Sequence, residues 1–227
     1  MSYESGQWLY AGGLAGIYAY AALVNPVRGL AIAAGATSIA SNPQSIAAAG
    51  DRWTTAGQDV AAAQGELHEL IASVPPEKWT AQDREMFTQA VQEFNQTLRQ
   101  GGQVYDSVAG NLKGLAGLSY AGGVVVAAAG AVLGALAATR FIPGVNLVTA
   151  PAGEAIAIPV ERTVLGLVRK YGMAATVAGT LLSIAVGFNQ SKAAELEAGA
   201  QPLDLQKPQF TSLDLPLTNL NPPQPTP

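Results

Sequence analysis

Apolar and small side chains recur at alternating spacings of three and four over two long stretches of this chain. The first runs Ile46, Ala49, Trp53, Ala56, Val60, Ala63, Leu67, Leu70, Val74. The second runs Phe87, Val91, Phe94, Leu98, Gly101, Tyr105, Val108, Leu112, Leu115, with Gly101 the one position expected not to pack. Such alternation returns to one side of a helix, so each stretch predicts a helix of about four heptads with a single apolar seam. Between the stretches, Pro75-Pro76 stops one helix and Thr80-x-x-Asp83 starts the next. Two helices joined by so short a break fold back as an antiparallel hairpin, each arm about 45 Å long. Asn42 ahead of Pro43 supplies a cap and a first-turn proline for the first arm.

Elsewhere the pattern is apolar all round. Residues 5–27, 29–50, 114–139 and 171–191 carry no charge, whereas 51–113 hold half of all the charged side chains. The runs 114–139 and 171–191 are each long enough to cross a bilayer as a helix, which takes about 20 residues. The segment between them holds three prolines and predicts a turn with a helix starting near Glu161. The first run draws its apolar strength from only Val124, Val125, Val126, Val132, Leu133 and Leu136, about −2 to −4 kcal/mol of insertion free energy. Gly122, Gly130, Gly134 and Ala138 form a four-residue row along it, and Gly12 and Gly16 repeat that spacing near the N-terminus. Small-residue rows let helix backbones touch, the usual device where lipid offers no hydrophobic drive for association. Membrane contact is therefore one expectation, and burial of these helices against each other or between subunits is the alternative. On the membrane reading, Arg140, Arg162, Arg169 and Lys170 against Glu154 and Glu161 place the 140–170 connector on the cytoplasmic side. The N-terminal stretch from Trp8 to Val24, ended by Asn25-Pro26, and the short Ala-rich stretch after it form a re-entrant or interfacial pair, or else cover the bundle.

The expected class is thus all-α, in four parts: an apolar segment over 1–41, a hairpin over 42–118, a Gly/Ala-rich apolar hairpin over 119–191, and a Pro/Gln/Leu-rich extended or disordered tail over 192–227. The tail repeats itself weakly, as LDLQKP at 203–208 and LDLPLT at 213–218.

Composition narrows the chemistry. A formal net charge of −4 speaks against nucleic acid, which needs a basic face. With no cysteine, disulfides and thiol chemistry are impossible. The single histidine, His68, has no second histidine to build a metal site with, and the serines lack the activating base that a nucleophile requires. Neither enzyme activity, cofactor nor small-molecule substrate is expected.

The helix–break–helix arrangement, with Trp79, Thr80 and Ala81 at the break and Phe87 eight residues after the tryptophan, resembles the WxG family of type VII (ESX) secretion substrates. The resemblance covers about residues 40–118. It implies a Trp-capped hairpin that pairs with a second hairpin, and hence a homo- or hetero-oligomer. It also implies export without a signal peptide from a cytoplasmic start. Ala81 stands where the family has Gly. The Tyr-x-x-x-Asp/Glu export signal common in such pairs is absent, because no tyrosine here has an acid four residues on.

Overall fold

In the computed structural model, which describes residues 3, 5–73, 75, 81–142 and 146–200, every extended element is helical. Five α-helices follow one another: α1 Gly6–Leu23, α2 Pro26–Ser38, α3 Pro43–Ser73, α4 Ala81–Ala138 and α5 Asn146–Ala200, with a 3-10 turn at Thr139–Phe141. The all-α class follows. The chain divides into two compact units, Met1–Phe188 and Asn189–Pro227. In the second, the described residues are the last turns of α5, where Lys192 Nζ meets Glu195 at 2.6 Å. The tail expected to be extended or disordered from 192 is instead helical as far as Ala200, and from 201 onward it lies outside the described residues.

Asparagine–proline pairs set two of the helix starts. Asn25 Oδ1 accepts from the Arg28 N–H at 3.0 Å with Pro26 at the first helical position. Asn42 Oδ1 accepts from the N–H groups of Gln44 (3.1 Å) and Ser45 (3.3 Å) ahead of the helix that Pro43 opens. Each cap satisfies donors that the first helical turn leaves open, and proline gives up an N–H that had no partner there.

α4 is the spine. It passes from the polar arm into the uncharged run without a break at 118–119. Its first half packs against α3, with Trp53 and Tyr105 rings 5.3 Å apart, Lys113 Nζ 3.0 Å from Asp51 and Gln64 Nε2 donating to the Asn95 carbonyl at 3.4 Å. Rising numbers on α3 meet falling numbers on α4, so the two run in opposite directions. Its second half packs against α1, α2 and α5 around Tyr10, Ile17, Tyr20, Ile32, Val126, Leu133, Ala157 and Val164. The N-terminal pair α1–α2 therefore covers the bundle, one of the arrangements its sequence left open.

α5 begins at Asn146, earlier than the start near Glu161 that the prolines suggested, and holds Pro151 and Pro159 inside it. Each proline removes one i→i−4 bond. The helix persists because burial along one side outweighs those losses: Ala157, Val164, Ala178 and Ala185 are buried, Tyr171 is half-buried, and all fall on one seven-residue repeat.

Candidate interaction surface

The predicted hairpin seam is mostly internal. Trp53, Val60, Leu67, Leu98 and Tyr105 are half-buried, and Val91 and Leu112 are buried. Leu70 and Phe94 are not: they stay 59% and 45% exposed. Both lie in the part of the hairpin beyond Gly101, where two helices alone cannot enclose a seam from both flanks. Gly101 turns out to be a packing position after all. A Cβ there would stand 3.1 Å from the Phe188 ring, so the glycine is the recess that α5 fills. At the predicted turn, Phe87 is half-buried and Ala81 opens α4, whereas Trp79 and Thr80 lie outside the described residues.

The glycine row is an α1–α4 contact. A Cβ on Gly130 would fall 2.5 Å from Gly13 Cα, one on Gly16 3.0 Å from Gly130 Cα, and one on Gly134 3.3 Å from Gly16 Cα. Gly122 lies under the Tyr10 hydroxyl, at 2.6 Å from such a Cβ. Here backbone lies on backbone, and any side chain would separate the helices. Two members of the sequence rows do not take part. Ala138 is exposed because Ala137 takes the inward position, and Gly12 points to open space because Gly13 and Gly16 carry the α1 side.

One polar node ties four segments together where the two apolar clusters meet. Tyr10 Oη donates to the Ser119 carbonyl (2.8 Å), Ser119 Oγ and Ser41 Oγ share a hydrogen bond (2.6 Å), and Tyr171 Oη donates to Ser41 Oγ (3.2 Å). Ser119 is fully buried, and a satisfied buried polar group of this kind fixes which helix faces may meet. Sequence reading missed it, since its members are far apart in the chain and individually ordinary. Burial pushes the Tyr10 phenol above its usual range, with the Ser119 bond opposing. Burial does the same for Tyr20, with the Arg28 charge opposing. Unlike Tyr10, Tyr20 keeps a buried hydroxyl with no partner among the described residues. Tyr10→Phe is expected to cost about 1 kcal/mol, and Tyr20→Phe to be neutral or stabilising by a similar amount, read from urea midpoints. Equal losses would mean that the Tyr20 hydroxyl is satisfied after all.

The two uncharged runs are not level with each other. Phe188 contacts Gly101; Ala178 and Ala185 cluster with Val108, Leu112 and Leu115; Val160 and Thr163 line a groove with Val125, Ala128 and Val132. Residues 171–188 thus lie beside the polar arm of α4, and its run 114–139 lies beside the charged segment of α5. Arg28 and Glu161, paired at 3.1 Å, and the exposed Arg162 stand next to the middle of that run. A bilayer laid over 114–139 would enclose all three charges, at a cost of a few kcal/mol for each unpaired one.

Apolar side chains stay open on α1 and α2 (Trp8, Val27, Leu30), on α4 (Val124, Val132) and along the outer face of α5. Only 11% of its most apolar 18-residue stretch is buried, against 39% in α4. Met173, Val177, Ile184 and Val186 are exposed on it, interleaved with Gly172, Gly179 and Gly187, where an added Cβ would meet nothing. Its hydroxyls bond back to their own helix: Thr176 to Gly172 (2.9 Å), Thr180 to Thr176 (3.0 Å) and Ser183 to Gly179 (3.0 Å), each to the carbonyl four residues earlier. Such a face can lose water without orphaning a donor. Beside it, the α4–α5 groove adds an apolar hollow of about 260 Å³ lined by Val125, Ala129, Val132, Pro159 and Val160.

Among the described residues, no comparable convergence of reactive groups occurs. His68 is exposed on α3, and among the described residues no three His, Asp or Glu side chains gather as metal ligands would. Comparison with known proteins finds no family model, no curated protein and no solved structure that matches this chain.

Proposed function

We propose that this chain is a non-enzymatic helical assembly protein, of the kind associated with type VII secretion, which works by mating apolar helix faces. The α3–α4 hairpin that carries the WxG resemblance is its pairing module. The observation that carries the proposal is the division of labour between the uncharged runs. That of α4 is partly covered by α1, α2 and α5, 39% of its most apolar stretch being buried against 11% in α5, while the outer face of α5 is uncharged, apolar and free of unsatisfied hydroxyls. Exposed apolar surface of this kind marks a place where something else docks.

Membrane association is the second reading, favoured by the length of the 171–191 run and its internally bonded hydroxyls. Sedimentation velocity across a concentration series, beside flotation with anionic and neutral liposomes, separates the two. A concentration-dependent oligomer that does not float supports assembly. A monomer that floats and resists carbonate replaces assembly with the membrane reading, and a monomer that does neither overturns the proposal.

A further inference from the structure

Resting on that assembly reading, we infer that the occupant of the outer α5 face is a second copy of this chain, with the two α5 helices antiparallel and Thr180 on the two-fold axis.

Charge decides the direction. Next to the uncharged run, α5 carries exposed Arg162, Arg169 and Lys170. Past the Phe188–Gly101 contact, the hairpin arms carry four exposed acids, Glu66, Glu69, Glu85 and Glu93, against two exposed bases, Arg84 and Arg99. One end of the contact region is basic and the other acidic. Parallel pairing stacks like on like, whereas antiparallel pairing sets each basic end against the partner's acidic end.

Side-chain size decides the register. The run 171–188 is centred at about residue 180. A two-fold axis at Thr180 sets Met173 opposite Gly187, Val177 opposite Ser183, and Ile184 opposite Thr176. Each exposed large side chain then faces a small one, so the ridges of one copy enter the recesses of the other. Parallel pairing would instead set Met173 on Met173 and Ile184 on Ile184. The bonded Thr and Ser hydroxyls need no new partner when the face dries.

Because the chain has no cysteine, single thiols report the geometry directly. In full-length protein, Thr180→Cys should cross-link with itself. Met173→Cys and Gly187→Cys should each fail alone yet cross-link when mixed and allowed to exchange. Thr180→Arg, which brings two charges together on the axis, should abolish the oligomer in sedimentation while leaving the helical circular dichroism unchanged. Reversing Arg169 and Lys170 to Glu should weaken association about fivefold or more at low salt, and less as salt rises. Efficient self-cross-linking of Met173→Cys, or an oligomer untouched by Thr180→Arg, overturns this pairing but leaves assembly by another face standing. A wild-type monomer at every concentration removes both, and flotation of that monomer assigns the face to lipid.

Discussion

Replacing Gly130 by alanine should destabilise the protein by about 3 kcal/mol, although the same substitution at Gly110, twenty residues earlier in the same helix, should stabilise it by about 0.5–1 kcal/mol. In an exposed helix interior, alanine gains over glycine because it restricts the unfolded chain and favours helix. Gly110 is such a position, with nothing within 4 Å of a Cβ built there. At Gly130 the propensity gain is the same, but the new methyl lands on α1, 2.5 Å from Gly13 Cα. Overpacking against a side chain can relax by a rotamer change; overpacking against backbone requires a whole helix to move, at the upper end of the usual 1–3 kcal/mol or beyond it. Paired urea unfolding curves test this. If both variants shift the same way, the close α1–α4 approach is wrong. Gly16→Ala should behave like Gly130→Ala, since it meets the other side of the same contact.

Deleting residues 1–40 should convert the protein from one with a covered α4 to one that aggregates or binds liposomes. The pair α1–α2 contributes Tyr10, Ile17, Tyr20, Ile32, Ala33 and Ala36 to the cluster around Val126 and Leu133, all at most 3% exposed. Removing it returns those α4 side chains to water, at roughly 25 cal/mol for each Å² uncovered. It also strips the Tyr10 bond from the polar node and the Arg28 partner from Glu161. The uncovered run 114–139 is uncharged and long enough to enter a bilayer, so the large expected outcomes are loss of the monodisperse species in sedimentation and a strong rise in flotation. An unchanged sedimentation profile would mean that α1–α2 is not the cover of α4.

Much of this was legible from the sequence because it depends on neighbours in the chain. Helical period is local, and the 3-4 spacing of the two seams placed both hairpin arms. Asn42-Pro43 marked a helix start because an asparagine cap and a missing proline N–H act within one turn. The uncharged runs and the Gly122, Gly130 and Gly134 row were visible as patterns, and the row does make helix contacts. What those contacts touch was not visible. Gly12 and Gly13 are equivalent by composition, and only the rotation of α1 against α4 selects Gly13. Ala138 continues the row by spacing yet faces outward, because a four-residue spacing advances by 400° and drifts from a fixed face with each step. Gly101 read as a gap because its partner, Phe188, is 87 residues away.

By itself, then, the sequence determined an all-α chain, two seamed helical arms with the Asn42-Pro43 start of the first, and long uncharged stretches. Tertiary structure alone decided which of those stretches is covered. Local periodicity can specify that a helix has an apolar side; it cannot specify the axial offset at which two helices pack, which depends on where recesses such as Gly101 and knobs such as Phe188 coincide. That offset sets the 114–139 run beside charged α5 residues and beneath α1–α2, and it leaves the 171–188 face outward. Of the two runs, the one on α5 is therefore the less covered, although composition alone ranks the α4 run as the more apolar.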